Sequence, residues 1–561
     1  MDHEVETTAR DDRRREAGRR EAGRREAGRR GVDPGFFAAP GHTVAGLAAL
    51  LRAGGLTAAD LTERSLEAIA RLDGRLGAFV TVDAEGARRA ARQADAELAA
   101  GRDRGPLHGV PVAVKDVIDV AGLPVTMGSA HFAGHVADTD AECVRRLRAA
   151  GAVVVGKTTT HEFAYGPTGD RTANGPSRNP VDPTRMSGGS SGGSAVAVAA
   201  GMVPLALGTD TGGSVRIPAA LCGVSGFKPA YGTVPTDGVF PLAASLDHVG
   251  VLARTPEDCR LGYEALAGAR GPGPGTRSAG AGARGAGAGT GTGGDTADGT
   301  AGAVRDEPRG IRVGWLAPGD FGAVDPGVAR LARAALGTAA ALAGVSPELS
   351  FGASFGASSE PSSDASFGVS PGVSPDASSA SRVSSDASLC EVSVEEAAFP
   401  EAPDALAAFS ALQDSEAYAV HADRVRERPE LFGAEVLDRL RTAARTPGWR
   451  YVRALADRER LAGAAALLFD RFDLLALPTT ALTAPELGAR TAVVAGADVA
   501  LRPALLALTS TWNLLGLPAL TVPAGTAGGL PVGLQLVGRP GHEHLLFAVA
   551  GAVVRAAPGR P

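Results

Sequence analysis

Lysine is the rarest charged residue in this chain of 561 residues. Of its 56 lysines and arginines only three are lysines, at Lys115, Lys157 and Lys228. On an ordinary protein surface lysine and arginine are interchangeable as positive charges. A lysine in a chain that otherwise uses arginine therefore indicates a position where a guanidinium could not perform the required role. Accepting a proton is one such role, because arginine stays charged whereas a buried lysine can become neutral. Lys115 is the best candidate, since it lies in the apolar run GVPVAVKD, which is typical of a buried strand.

Cysteine is scarce as well, and the spacing of the cysteines argues against a disulfide framework and against a zinc site. The four cysteines lie far apart without a C-x-x-C pair, at Cys143, Cys222, Cys259 and Cys390. Neither a disulfide framework nor a zinc site is indicated. The HEH sequence at 542–544 is too closely spaced to place two ligands on one helix face. We therefore expect idle thiols, no metal and no cofactor.

Long apolar runs and an excess of positive charge are absent too. No run approaches the roughly 18 apolar residues that a membrane helix needs. The formal net charge of −6 gives no general attraction to nucleic acid or to an anionic membrane. The expectation is a cytoplasmic protein that acts on a small molecule, with no nucleic-acid or membrane partner.

Three stretches, 1–38, 268–309 and 345–391, have compositions too biased to build a core. The first repeats REAGR three times between 15 and 29, with a period that matches neither a helix face nor a strand. We expect it to be a disordered charged tail, with a nucleic-acid-binding arm as the weaker alternative. The other two predict surface insertions in a single domain that runs from 39 to 561.

Between these stretches the apolar pattern alternates between helices and strands. Thr57 followed by Asp60 is a capping signal for a helix over 57–72, and Thr139 followed by Glu142 predicts a helix that begins at Thr139. The other predicted helices lie near 44–53, 86–100 and 542–554, and the predicted strands at 109–116, 152–156, 203–209, 473–478, 518–525 and 531–538. This order indicates the α/β class, with one layered α/β/α domain and a mostly parallel, mixed sheet covered by helices.

The segment Ser187–Arg216 reads SGGSSGGSAVAVAAGMVPLALGTDTGGSVR, with glycine-flanked serines on either side of an apolar run. A folded chain keeps consecutive glycines where φ is positive or where the backbone approaches a ligand closely. Ser214 is the predicted nucleophile, because backbone N–H groups around it can turn inward and form an oxyanion hole. The predicted donors are Thr211, Gly212, Gly213 and Ser214 itself.

Two further side chains would complete a hydrolytic device. Ser190 lies between Gly189 and Ser191, where its hydroxyl can be aimed between the nucleophile and a base. Lys115 would be that base, which requires a desolvated site that lowers its pKa. A serine with a lysine base is a known variant of this chemistry and needs no histidine.

The runs GGSSGGS, GTDTGGSVRIPAALCGVSGFKPAYG and GVPVAVKD resemble the amidase signature family of Ser-Ser-Lys amide hydrolases. Lys115 precedes Ser190 by 75 residues, and Ser190 precedes Ser214 by 24, as in that family. The likeness continues through WNLLGLPALTVP and GLPVGLQLVGRP near the C-terminus. It implies the amidase fold and cleavage of a carboxylic amide through an acyl-enzyme on Ser214. It also implies a relay at Ser190 across a cis peptide bond.

By the same resemblance Asp210 and Arg216 form a charged pair that holds the nucleophile loop, with Gly189 and Ser191 in support.

The substrate and the oligomeric state are left open, and a homodimer is compatible with this interpretation. The remaining polar residues receive structural interpretations. Lys157 and Lys228 would pair with acids or cap helices, Asp247 and His248 would fix a turn, and His161 would line the cleft or be a structural histidine.

Three alternatives compete with a stand-alone amidase. Gly188–Gly192 also satisfies G-x-S-x-G, which would indicate an α/β-hydrolase with a downstream histidine such as His248, His421, His542 or His544. The second is the glutamine-hydrolysing A subunit of a tRNA-dependent amidotransferase, which uses the same triad beside B and C subunits. Its sequence typically reads GGSIRQPA and YGRVSRYG, whereas this chain has GGSVRIPA and YGTVPTDG. The third is a catalytically silent scaffold of the same fold.

Overall fold

One eleven-stranded sheet forms the centre of the molecule in the computed structural model, which describes residues 34–268, 310–343 and 391–556. A separate two-stranded hairpin lies outside it. The strands are β1 Phe79–Val82, β2 Pro111–Lys115, β3 Val153–Thr158, β4 Leu205–Thr209, β5 Ser225–Lys228, β6 Val249–Ala253, β7 Ile311–Leu316, β8 Val392–Ala397, β9 Leu474–Pro478, β10 Thr491–Val494, β11 Ala497–Ala500, β12 Ala519–Ala527 and β13 Leu530–Val537.

Helices surround this sheet along the whole described chain. They are α1 Val44–Arg52, α2 Ala58–Leu76, α3 Ala84–Ala99, α4 Glu142–Ala149, α5 Gly192–Ala199, α6 Arg216–Cys222, α7 Pro256–Ala267, α8 Pro326–Ala343, α9 Ala402–Glu427, α10 Ala434–Ala443, α11 Gly448–Arg471, α12 Leu501–Leu506, α13 Ser510–Leu514 and α14 Glu543–Ala556. Each predicted helix and strand has a counterpart here, with ends that differ by a few residues.

The sheet is mixed, in the order β1-β3-β2-β4-β6-β5-β12-β13-β9-β7-β8. Parallel ladders join β3, β2 and β4 on one side and β9, β7 and β8 on the other. The strands between them pair antiparallel. Val112 and Val114 of β2 pack into one apolar cluster and Ala113 into another, so helices bury both faces of the sheet. This is the layered α/β/α arrangement that the sequence predicts.

Two expectations about local structure need correction. The helix predicted from Thr139 begins instead at Glu142, after Ala141, and no side chain caps it. Residues 34–38, assigned to the tail by composition, belong to the fold: the short helix Phe36–Ala38 buries Phe37, and Gly35 N–H donates to the Ala200 carbonyl. The rest of the tail and nearly all of both predicted insertions lie outside the described residues.

The capping box at α2 is confirmed, and it gives a stability prediction. Thr57 Oγ1 accepts from Asp60 N–H at 3.0 Å while the Asp60 carboxylate accepts from Thr57 N–H at 2.9 Å. We expect Thr57→Ala to lower the free energy of unfolding by about 1 kcal/mol, since the Asp60 N–H loses its side-chain acceptor. The midpoint of urea-induced unfolding measures this. Thr442→Ala, at an exposed position inside α10, is the matched control and should cause no loss. An unchanged midpoint for Thr57→Ala would contradict the prediction.

Candidate active site

Two neighbouring parallel strands, β2 and β4, each end in a polar residue of the site. Val114 of β2 pairs with Leu207 of β4, so the strand ends at Lys115 and Thr209 lie side by side. The Lys115 ammonium nitrogen Nζ donates to Thr209 Oγ1 at 2.7 Å and to Ser190 Oγ at 2.7 Å. The structure therefore brings together two of the three predicted catalytic side chains, and it adds Thr209, which the sequence interpretation missed.

Lys115 is fully buried, and its surroundings favour the neutral amine. Burial lowers its pKa from 10.5 to about 7, although the negative charges of Asp210 and Asp247 oppose this shift. Both hydrogen-bond partners are hydroxyls, which can donate to a neutral amine as well as accept from a charged one. A lysine in this setting can take up and release a proton near neutral pH.

The other two lysines are just as buried but differently bonded. Lys157 Nζ lies 3.1 Å from Asp116 Oδ1 in a buried ion pair. Lys228 Nζ donates to the Leu517 carbonyl at 2.6 Å and to the Pro229 carbonyl at 3.1 Å, and it lies 3.2 Å from His248 Nε2. Lys157 therefore pairs with an acid, as predicted, whereas Lys228 donates to two backbone carbonyls rather than to an acid. Burial alone therefore does not single out Lys115, but its hydroxyl partners do.

The loop of residues 210–214, here called the nucleophile loop, is organised by one carboxylate. Asp210 Oδ1 accepts from Gly213 N–H at 2.7 Å, and Oδ2 accepts from Val215 N–H at 3.1 Å. The Gly213 N–H is thus already used, which corrects its predicted place among the oxyanion donors. Among the described residues, the N–H groups of Thr211, Gly212 and Ser214 have no protein acceptor. These three N–H groups remain able to bind a negatively charged oxygen.

Arg216 holds that carboxylate from the start of α6. Its guanidinium lies 2.9 and 3.0 Å from the two Asp210 oxygens, with both side chains fully buried. The same guanidinium also donates to the Thr509 carbonyl, Asn513 Oδ1 and Gln535 Oε1. Burial alone would raise the pKa of Asp210, but the charge and hydrogen bonds of Arg216 hold it well below the usual range. The predicted pairing of Asp210 with Arg216 is present, with three partners from the C-terminal part of the chain.

Two glycines of the nucleophile loop are required by their surroundings. A Cβ on Gly212 would lie 2.5 Å from Phe409, and one on Gly213 would lie 2.3 Å from Thr509 Oγ1. Gly213 also has φ +127°, where side chains are strained. A side chain at either position would force either its neighbours or the loop backbone beside Ser214 to move.

The two serine segments meet through the backbone. Ser191 N–H donates to the Ser214 carbonyl at 3.1 Å, and Ser191 Oγ donates to the Thr209 carbonyl at 3.1 Å. The Gly189–Ser190 peptide bond is cis. Ser190 is fully buried, whereas Ser214 keeps 7% of its surface exposed. Ser190 and Ser214 therefore lie on two connected turns, and Ser214 is the more accessible of the two.

The histidines lie around this site without joining it. His161 N–H donates to the Ser190 carbonyl at 3.1 Å, and burial together with Arg439 holds the pKa of its ring well below the usual value. His248 and Asp247 do fix a turn: the Asp247 carboxylate accepts from the N–H groups of Leu242 and Ala243. In the ranges that the structure covers, no histidine ring is hydrogen-bonded to Ser190 or Ser214. A serine–histidine device of the α/β-hydrolase kind is therefore not assembled in these ranges.

Asn513 and Gln535 were also missed by sequence reasoning, although a signal was present. Each is a lone amide side chain within an apolar segment, WNLLGLPALTVP and PVGLQLVG. A buried polar residue must find a hydrogen-bond partner, which in this fold is Arg216.

The described ranges hold no group of three His, Cys, Asp or Glu residues that could bind a metal ion. They also contain no helix long and apolar enough to cross a membrane.

The Arg216 contacts give a prediction at the centre of the site. Arg216→Lys cannot reach all its acceptors at once, so buried oxygens of Asp210, Asn513 and Gln535 would lose partners. We expect a loss of about 3 kcal/mol in unfolding free energy together with strongly reduced turnover. Arg260→Lys, which alters an ion pair with Glu257 and Glu264 on α7, is the control and should change stability by less than about 0.5 kcal/mol. Equal stability of the two variants would show that the network is dispensable.

Known proteins match the chain over most of its length. The Amidase family model matches residues 60–337 and 372–547. The A subunit of the glutamyl-tRNA(Gln) amidotransferase of Anaeromyxobacter sp. (strain K) is 40% identical over 516 residues, which cover 89% of this chain and 93% of that protein. A crystal structure described as an amidase is 32% identical with a TM-score of 0.72, covering 91% of this chain and 99% of that one. The corresponding A subunit of Thermotoga maritima is 26% identical with a TM-score of 0.63, covering 90% and 93%. The chain therefore belongs to the amidase signature family, and it is an enzyme that hydrolyses carbon–nitrogen bonds.

Proposed function

We propose that this enzyme hydrolyses a carboxylic amide by forming an acyl-enzyme on Ser214. The observation that carries the proposal is the buried Lys115 amine, 2.7 Å from Ser190 Oγ, with a pKa near neutrality. Ser190 lies next to Ser191, whose backbone is bonded to Ser214. In the proposed path a proton leaves Ser214 for Ser190 while Ser190 passes its own to Lys115.

The steps of the reaction follow from these groups. Ser214 Oγ attacks the amide carbonyl carbon, and the negative charge that develops on the carbonyl oxygen is stabilised by the free N–H groups of the nucleophile loop. The Lys115 ammonium then returns its proton through Ser190 to the departing nitrogen, so ammonia or an amine leaves. Water repeats the attack on the ester, with its proton going to Lys115. Lys115 then returns the proton through Ser190 to Ser214 Oγ as the carboxylic acid is released.

Removal of the nucleophile tests the proposal directly. We expect Ser214→Ala to lower kcat for simple amides by about 10⁴-fold or more, since no acyl-enzyme can form. Ser225→Ala is the matched control, because the Ser225 hydroxyl is also buried but has no hydrogen-bond partner among the described residues. Ammonia release over a panel of aliphatic, aromatic and ureido amides provides the measurement. Full activity of Ser214→Ala would refute the proposal. A fluorophosphonate that labels wild-type Ser214 would exclude a silent scaffold.

The role of Lys115 predicts a pH profile. The base must be neutral, so kcat/KM should rise with pH through a midpoint near 7 and level off above it. Asp247→Asn removes a negative charge that favours the ammonium form, and it should therefore move this midpoint to lower pH. A rate that falls as pH rises through 7 would mean that the charged lysine is the active form.

Two substrate assignments remain candidates, and different observations support each. The names of the curated relatives favour the glutamine-hydrolysing A subunit of an amidotransferase. The motifs GGSVRIPA and YGTVPTDG favour a stand-alone amidase, as does the higher TM-score of the amidase structure. Purifying the tagged chain from its own cells distinguishes them. Partner subunits that co-purify and switch on glutamine hydrolysis would support the amidotransferase, whereas amide hydrolysis by the isolated chain would support the amidase.

A further inference from the structure

One side chain of the nucleophile loop is bonded to a separate turn of the chain. Thr211 Oγ1 donates to Asp247 Oδ1 at 2.5 Å, although the two residues are 36 positions apart. The other carboxylate oxygen, Oδ2, accepts from the N–H groups of Leu242 and Ala243 at 2.9 and 3.1 Å. Both oxygens of Asp247 are therefore used, and one of them holds the loop that carries Ser214.

The turn that presents Asp247 is itself held by other segments. Ser245 N–H and Oγ donate to the two carboxylate oxygens of Glu416 in α9, at 3.0 and 2.6 Å. The next residue after Asp247 is His248, which exchanges two backbone hydrogen bonds with Asp210, of 2.8 and 3.2 Å. The Asp247 carboxylate is thus fixed relative to the start of the nucleophile loop.

Thr211 depends on this bond more than its neighbours do. The Asp210 carboxylate holds the backbone of Gly213 and Val215, at the other end of the loop. Among the described residues, the bond to Asp247 is the one hydrogen bond that Thr211 makes. Its N–H has no acceptor there, although the residue is only 2% exposed. A buried N–H without an acceptor is rare in folded proteins, and here it faces no competing protein group.

We propose that Asp247 is a positioning residue for catalysis: through the Thr211 hydroxyl it aims the Thr211 N–H at the oxygen anion of the transition state. This inference rests on the function proposed above. An N–H donor stabilises this oxygen only if it points to the place where the charge develops, and removal of one such donor lowers kcat about 10²- to 10³-fold. A donor that is misdirected rather than removed should cause a smaller loss.

Asp247 also acts on Lys115 through its charge, and the experiment has to separate the two effects. The negative charge of Asp247 raises the pKa of Lys115, against the effect of burial, and the resulting value is about 7. Desolvation raises the pKa of Asp247 itself to about 6. Near pH 9 the carboxylate is therefore charged, and Lys115 is neutral with or without it. Turnover at that pH reports the direction of the Thr211 N–H and not the protonation of Lys115.

Variants at both ends of the hydrogen bond test the inference. Thr211→Val keeps the shape of the side chain but removes the hydroxyl. Asp247→Asn can keep the two turn bonds through its amide oxygen, but it then presents an amide N–H₂ to Thr211. Near pH 9 we expect each variant to lower kcat for the best amide of the panel about tenfold to a hundredfold, with KM changed less than about twofold. Thr211→Ser keeps the hydroxyl and should recover most of the loss.

The double variant and a matched control make the test specific. Thr211→Val combined with Asp247→Asn should be no slower than the slower single variant, because both remove the same hydrogen bond. Asp95→Asn is the control. Its carboxylate also accepts from two consecutive N–H groups, those of Ala58 and Ala59, but it joins α3 to the start of α2. It should leave kcat unchanged. Complete labelling of Ser214 by a fluorophosphonate counts the folded enzyme, so misfolded protein does not enter kcat.

A transition-state analogue measures the oxygen anion itself. In a trifluoromethyl ketone with the acyl chain of the same amide, Ser214 Oγ adds to the carbonyl carbon, its proton goes through Ser190 to Lys115, and the carbonyl oxygen becomes the anion. The inhibition constant should rise in each single variant by about the factor by which kcat falls.

Three results would overturn the inference while leaving the proposed function intact. They are an unchanged kcat in Thr211→Val, losses in the two single variants that multiply in the double variant, and an equal loss in Asp95→Asn. A wild-type enzyme inactive on every amide, with Ser214 unlabelled, would overturn both the inference and the proposed function.

Discussion

The buried pair of Asp210 and Arg216 is the interaction on which the rest of the site depends. Taking two charges out of water is costly, and this cost is offset only where other hydrogen bonds satisfy the remaining donors and acceptors. Here the carboxylate accepts from the backbone around Ser214, and the guanidinium reaches α13 and β13. The nucleophile loop is therefore fixed by residues about 300 positions later in the chain.

Burial has the opposite consequence for the charge of Lys115. Arg216 is buried with a carboxylate and stays charged, whereas Lys115 is buried with two hydroxyls and can lose its proton. Lys157 is equally buried but lies against the Asp116 carboxylate, so the two lysines differ in their hydrogen-bond partners and not in burial. The scarcity of lysine points to all three positions, and the hydrogen bonds distinguish between them.

Local signals were reliable where the interaction itself is local. The box formed by Thr57 and Asp60 starts α2 as predicted, because both partners lie within one helical turn. The similar signal at Thr139 fails because the chain there is bonded elsewhere: Ala141 N–H donates to the Asp119 carbonyl and Glu142 N–H to the Asp237 carbonyl. Gly213 was predicted to face a substrate, but its N–H is bonded to Asp210, only three residues away. In both cases a competing acceptor, which periodicity does not reveal, decides the outcome.

The sequence by itself determined the family, the fold class and the residue types of the site. Three features can be recognised in the sequence alone: glycines that tolerate no side chain, strands of continuous apolar residues and a rare lysine. Only the tertiary structure decided which N–H groups beside Ser214 remain unbonded. It also decided that Thr209 joins Lys115. The physical reason is that these arrangements depend on segments far apart in the chain. Strand β2 pairs with β4, and the Asp210 carboxylate that accepts from Gly213 N–H is itself held by Arg216 and by Asn513 of α13.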